Sequence, residues 1–292
     1  MQIENNNIFH INKKPSGQIN WTEEQENKIV ELYNNGFSLT KICKLFDIKA
    51  PQTIRNLLKR KGIKIIGFRN AYPVNEEYFS VIDSAEKAYW LGMLYADGSI
   101  TSKNQLWLGL KDKEHIEKFK NSIGAFNHKI GVTIDNRYDE PKIQYHISIK
   151  SKKLCDDLIE KGCIKNKSLL LEKIPDIEKE YISHFIRGYF DGDGSINCSI
   201  FKSKKKYRIS FVGTYSFLQN IQKELGFFTK ICKNSPAKNN SFYFQVNGNI
   251  QLVKFFNYIY KNSTKNIVLK RKYEKYLEFC SDLGASPLNL DI

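Results

Sequence analysis

No apolar run in this sequence approaches the roughly 20 residues needed to span a bilayer, and no C-x-x-C pair, histidine cluster or long low-complexity tract is present. The N-terminal stretch MQIENNNIFHINKKPSG lacks the charged-then-apolar order of a signal peptide. These absences exclude a membrane-spanning helix and lead us to expect an intracellular protein, in a bacterial or phage-infected cytoplasm or in a mitochondrion or chloroplast. The six cysteines (Cys43, Cys155, Cys163, Cys198, Cys232 and Cys280) are scattered, so neither a zinc site nor a disulfide framework is expected. Acidic residues are also in short supply. Asp and Glu number 31 against 46 Lys and Arg, a formal charge of +15, which points to a polyanionic partner, nucleic acid first among them. Hydrophobic residues make up 41% of the 292, enough for two or three globular units.

Residues 1–20 read as a polar lead. Over 21–63, WTEEQENKIVELYNNG carries a capping box, Thr22 with Gln25, before apolar residues at helical spacing. FSLTKICKLFDI follows with Ser38 as cap, and APQTIRNLLKRKG opens on Pro51 in a first-turn position and closes on Gly62. Three short helices are predicted. The third turns Ile54, Leu57 and Leu58 to one side and leaves Gln52, Thr53, Arg55, Asn56, Lys59 and Arg60 for phosphates and base edges, the layout of a helix-turn-helix DNA-binding domain with its recognition helix last. Residues 64–80 read as a linker that packs partly on its neighbours.

From 81 onward the chain repeats itself. YWLGMLYADGSI at Tyr89–Ile100 returns as FIRGYFDGDGSI at Phe185–Ile196, placing Asp97 and Asp193 96 residues apart. Each copy leads into period-two patterns with a helical segment between them. In the first, Leu106, Leu108 and Leu110 alternate with Gln105, Trp107 and Lys111, and KIQYHISIK puts Ile143, Tyr145, Ile147 and Ile149 inward with Lys142, Gln144, His146, Ser148 and Lys150 outward. In the second, Tyr207, Ile209 and Phe211 alternate with Lys206, Arg208 and Ser210, and Phe242, Phe244 and Val246 with Ser241, Tyr243, Gln245 and Asn247. The fold class is therefore α+β: helix, two strands, helix, two strands, helix, written twice over 81–177 and 178–281 with a tail at 282–292. The apolar faces of two antiparallel sheets are covered by helices, and the polar faces stay open to nucleic acid.

Gly92 and Ala96 fall four apart, as do Gly188 and Gly192, so each motif helix carries a side-chain-poor stripe that allows close helix packing. Packed in this way, the helix ends bring Asp97 and Asp193 together, each before a glycine expected to leave the helix at positive φ. Two adjacent carboxylates repel, and one would be protonated unless a cation lies between them. The aspartates, with backbone carbonyls at Ala96 and Gly192, suit Mg²⁺, with Mn²⁺ as a substitute, and such a site can activate water for attack on a phosphodiester.

The doubled motif resembles the LAGLIDADG homing endonucleases in their two-motif, single-chain form. It is matched at Gly92, Ala96, Asp97 and Gly98, and again at Gly188, Asp193 and Gly194, with Tyr95 standing where the family name has an acid. The resemblance implies a pseudo-twofold pair of αββαββα repeats acting as a monomer. Its saddle-shaped sheets would sit on double-stranded DNA and read a long asymmetric target, and both strands would be hydrolysed with Mg²⁺ during intron homing. It also implies a basic residue near each acid. Lys165 and Lys261, each 68 residues past its aspartate, are expected in that role, with Lys167 close behind. The alternatives are a non-catalytic helix-turn-helix/LAGLIDADG regulator, which typically loses the acids, and a maturase acting on its host intron RNA. The start at Met1 and the ending LNLDI, without a His-Asn terminus, argue against an intein.

Overall fold

The computed structural model describes residues 12–13, 19–34, 37–63, 73–136, 141–163, 170–234, 240–288 and 290. They fall into two compact units, Met1–Val74 with Ala125–Asn127, and Asn75–Gly124 with His128–Ile292.

The first unit opens on a short antiparallel pair, β1 (Asn12–Lys13) and β2 (Ile19–Asn20). Three helices follow: α1 (Glu23–Asn34), α2 (Leu39–Leu45) and α3 (Pro51–Arg60). The boundaries come from local chemistry. Thr22 and Gln25 exchange backbone-to-side-chain hydrogen bonds of 3.1 and 3.3 Å, the Ser38 hydroxyl accepts from Lys41 N at 3.2 Å, and Pro51 occupies the first turn of α3, where no N–H is needed. Ile29, Leu32, Ile42, Phe46, Ile54, Leu57 and Leu58 form the core.

The second unit contains two runs of the same plan. The first comprises α4 (Ala85–Asp97), β3 (Gly98–Ile100), β4 (Gln105–Leu110), α5 (Lys113–Ser122), β5 (Gly131–Asp135), β6 (Lys142–Lys150) and α6 (Lys152–Glu160). The second comprises α7 (Ile182–Asp193), β7 (Gly194–Phe201), β8 (Lys204–Gly213), α8 (Tyr215–Leu225), β9 (Cys232–Lys233), β10 (Phe242–Asn247) and α9 (Asn249–Tyr260), and then α10 (Lys270–Leu283). Each run folds into a four-stranded antiparallel sheet with its strands in the order first, second, fourth, third: β3-β4-β6-β5 and β7-β8-β10-β9. Matching registers, Gly98 opposite Leu108 and Gly194 opposite Phe211, start each sheet directly from its motif helix.

The apolar faces form the core through Leu106, Leu108, Leu110, Ile147 and Ile149 in one sheet and Tyr207, Ile209, Phe211, Phe244 and Val246 in the other. Ile143 departs from the expected alternation and is 47% exposed, at the start of β6 opposite Ile134, which is itself 56% exposed. Helix α4 is buried all round from Ala88 to Tyr95, as a central helix must be when it has no solvent side. Tyr78 and Phe79, within the expected linker, are buried, and Ser80 and Lys153 meet at Asp157 (2.6–2.7 Å), which fastens this turn to α6.

Candidate active site

Helices α4 and α7 pack through their glycines. A Cβ at Gly92 would lie 2.0 Å from the Phe185 carbonyl oxygen and 2.8 Å from the Tyr189 nitrogen, and one at Gly188 would lie 1.9 Å from the Tyr89 carbonyl oxygen and 2.9 Å from the Met93 nitrogen. The obstacles are backbone atoms, so only glycine fits at either position. One turn further on, a Cβ at Gly192 would lie 2.2 Å from Ala96 Cβ and 2.9 Å from Asp97 Oδ2. The Asp97 carboxylate thus overhangs the last turn of α7, next to Asp193.

The expected exit at positive φ does not occur. Gly98 and Gly194 have φ of −76° and −85° with extended ψ, and they pass straight into β3 and β7. They are needed for space, since a Cβ at Gly98 would meet the Leu94 carbonyl oxygen at 2.7 Å and one at Gly194 would meet Phe190 O at 2.5 Å.

Asp97 and Asp193 both act on two buried groups. The Tyr189 phenol is pushed well above its ordinary range by burial first and then by the two carboxylates, so it stays protonated, and it donates to Val212 O at 2.6 Å. The second group is Lys272, at the start of α10 and only 4% exposed. Its ammonium donates to the carbonyls of Phe190, Asp191 (2.8 Å) and Gly194 (2.5 Å), closing the C-terminal end of α7. Burial lowers its pKa to about 8, while Asp191, Asp97 and Asp193 oppose that shift.

Asp191 is the centre of a buried polar cluster. Its Oδ2 accepts from Tyr89 OH and from Leu269 N, both at 2.8 Å, and burial raises its pKa. The Tyr89 hydroxyl also meets His115 Nε2 at 2.8 Å. Arg187, fully buried, donates to Ile267 O at 2.8 Å and Ile259 O at 2.6 Å and lies over the Tyr89 ring. The cluster ties the second motif helix to the segment that delivers Lys272. At the corresponding place in the first motif, Tyr95 donates instead to the Lys161 carbonyl, so the two halves of the site are built differently.

Sequence spacing missed Lys272 and Asp191. Lys272 sits in LKRKYEK, which reads as a solvated basic run, and only the placement of α10 by Asp191 and Arg187 reveals its burial. Of the three lysines expected near the acids, Lys165 and Lys167 lie outside the described residues. Lys261 follows α9 and borders a surface cleft with Glu224, Lys254 and Tyr258.

The residues expected to meet DNA divide into groups. On the first sheet, Trp107 and His146 stack at 5.8 Å, His146 reaches Thr133 at 3.3 Å, and Gln105 bonds Ser148. Lys111, Lys142 and Lys150 are exposed and Gln144 is half-buried. On the second sheet, Lys206, Arg208 and Asn247 are exposed and Tyr243 and Gln245 half-buried. Ser210, expected to face outward, is 9% exposed and shares a 2.7 Å hydrogen bond with Ser195, its cross-strand partner on β7. On α3, Gln52, Asn56 and Lys59 are exposed and Thr53 and Arg55 half-buried. Arg60 is exposed but bonded to Glu26, which also takes Lys61 at 2.8 Å.

Among the described residues no helix is long and apolar enough to cross a membrane. Residues 180–260 match the family model of the LAGLIDADG-like domain. The chain is 31% identical over 112 residues to the DNA-directed RNA polymerase subunit Rpo1C of Methanocaldococcus jannaschii, covering 37% of this chain and 12% of that protein. It is 26% identical over 172 residues to the uncharacterised protein MJ0314 of the same organism, covering 58% of this chain and 62% of the relative. It thus spans under two thirds of either relative. Similar solved structures include the LAGLIDADG homing endonuclease I-GzeII in complex with its DNA target, at 12% identity and a TM-score of 0.45, covering 66% of this chain and 88% of that one. The LAGLIDADG meganuclease I-AabMI bound to uncleaved DNA, at 14% identity and a TM-score of 0.44, likewise covers 66% and 88%.

Proposed function

We propose, from the LAGLIDADG-like domain at residues 180–260 and the second copy of its motif at Tyr89–Ile100, that the chain is a site-specific endonuclease that cuts both strands of a long, asymmetric double-stranded DNA target with a divalent metal. The observation that carries this reading is the glycine-mediated contact of α4 and α7, which sets the Asp97 carboxylate against the last turn of α7 beside Asp193.

The donor set suits a hard cation with few protein ligands. Among the described residues no three His, Cys, Asp or Glu side chains converge, so Asp97 and Asp193, with carbonyls at Ala96 and Gly192, would hold Mg²⁺, and water and DNA phosphate would supply the remaining oxygens. When bound, the metal lowers the pKa of water and screens charge on the phosphodiester. The protein's own groups orient and bind. Lys272 fixes the backbone that carries Asp193, Tyr189 holds a proton next to both acids, and the exposed lysines and Arg208 of the sheets neutralise DNA phosphates. Helix α3 adds contacts at one end of the target. Retention of both acids favours cutting over a purely regulatory role.

The test is selection of cleaved sequences from a randomised double-stranded DNA library with Mg²⁺ and the full chain. Recovered cut sites that disappear with Asp97→Asn or Asp193→Asn, while the same DNA is still bound, support the proposal. Cutting that survives both substitutions, or DNA binding without cutting by the unsubstituted chain, overturns it.

A further inference from the structure

We propose that α3 reads adenine in the major groove through a pre-tied pair of amides, Gln52 and Asn56, so that A·T pairs at one end of the target are recognised rather than merely clamped. The proposal rests on the DNA-directed reading of the first unit given above.

Charge in this unit is segregated. Helix α1 carries Glu23, Glu24, Glu26 and Glu31 against Lys28 alone, whereas residues 37–63 carry Lys41, Lys44, Lys49, Arg55, Lys59, Arg60 and Lys61 against Asp47 alone. A duplex is therefore attracted to the side of α2 and α3. On a helix of 3.6 residues per turn, Gln52, Asn56 and Lys59 project directly opposite the buried Ile54, Leu57 and Leu58, with Arg55 and Arg60 on the two flanks. The central positions reach the groove floor and the flanks reach the sugar-phosphate walls. Arg60 on one flank is occupied by Glu26, which leaves Arg55 on the other for phosphate.

Gln52 Nε2 donates to Asn56 Oδ1 at 2.8 Å. This bond fixes both amide planes and reduces the side-chain entropy lost on binding. It turns the Gln52 carbonyl oxygen, an acceptor, and the Asn56 amino group, a donor, outward side by side, with the second Gln52 N–H as a further donor. Adenine offers one acceptor, N7, and one donor, N6, on its major-groove edge, whereas guanine offers two acceptors. A coupled acceptor and donor match adenine.

The experiment is selection of bound DNA from a randomised pool by the full chain, compared with Gln52→Ala/Asn56→Ala and with Arg55→Ala/Lys59→Ala, together with hydroxyl-radical footprints. All four side chains point away from the unit's core, and unchanged thermal melts would verify folding. The amide variant should lose adenine enrichment at one or two adjacent terminal positions and bind the unsubstituted chain's consensus about tenfold more weakly, with preferences elsewhere intact. The charge variant should shorten the footprint at the same end. A shortened footprint with base preferences unchanged in the amide variant overturns the adenine assignment and leaves the DNA contact standing. Unchanged footprints and unchanged preferences in both variants overturn the DNA reading of this unit along with it.

Discussion

Replacing Gly188 with alanine would place a methyl carbon 1.9 Å from the Tyr89 carbonyl oxygen and 2.9 Å from the Met93 nitrogen, where ordinary contact begins at 3.4 Å. Both obstacles belong to the α4 backbone, so no rotamer change relieves them and the helices must separate by about 1.5 Å. Overpacking of this kind costs ~1–3 kcal/mol, and a backbone clash belongs at the upper end. Alanine returns ~1 kcal/mol through its better helix propensity, so the expected net loss is ~2 kcal/mol. In a urea titration the midpoint should fall by ~0.5–1 M at unchanged slope. The same separation lifts the Asp97 carboxylate away from the last turn of α7, and a displacement of this size should slow the proposed DNA cutting by ~100-fold. Gly62→Ala is the matched control. Gly62 has φ of +72° and nothing within 4 Å of its added Cβ, so it should cost ~1 kcal/mol locally and leave cutting intact. A Gly188→Ala variant with the original midpoint and rate would refute the claim that the acids are held together by backbone contact.

Lys272→Met keeps the length of the side chain but removes the ammonium that donates to the carbonyls of Phe190, Asp191 and Gly194, leaving Phe190 O only the N–H of Gly194, and it should destabilise by ~3 kcal/mol and slow the proposed cutting, checked by urea midpoint and by nicking rate. Because burial lowers the Lys272 pKa from 10.5 to about 8, the unfolded chain holds this proton longer, and stability should rise from pH 8 to 10.5, a rise absent from the variant. His115 titrates near 3 in the fold against 6.5 ordinarily, with burial the main cause. Its contribution is complete above pH 6.5 and falls by up to ~1.4 kcal/mol for each pH unit toward 3, so His115→Gln should flatten the acid limb of thermal stability measured between pH 4 and 6.5.

The order of elements in each repeat was legible because its two periods differ: Leu106, Leu108 and Leu110 alternate like a strand, and the segment from Lys113 to Ser122 does not. Strand order within the sheets was not legible, since nothing in the sequence of β5 announces that it lies outside β6. Ile143 misled because alternation reports which face a residue takes and not whether a helix covers that face. Gly98 and Gly194 were read for their dihedral freedom, whereas their role is to clear Leu94 and Phe190, a contact four residues back that local turn rules do not describe. Lys272 was not legible, because its burial against the carbonyls at the end of α7 depends on the placement of α10, which no spacing from the motif describes.

The contact between α4 and α7 is reciprocal: Gly92 faces the Phe185 carbonyl, and Gly188 faces the Tyr89 carbonyl. Main-chain atoms are common to every sequence, so this seam is a generic coupling through which either half can accept a foreign partner that has glycine at the matching position. The cluster of Tyr89, His115, Asp191 and Arg187 is the opposite kind of joint. It is keyed, because Arg187 grips the carbonyls of Ile259 and Ile267 within its own half, while Asp191 needs the hydroxyl of Tyr89 from the other half. A transplanted second half would therefore keep the Arg187 contacts only if it carried its own tail through Ile267, and it would lose the Asp191 contact unless the first half offered a hydroxyl at position 89.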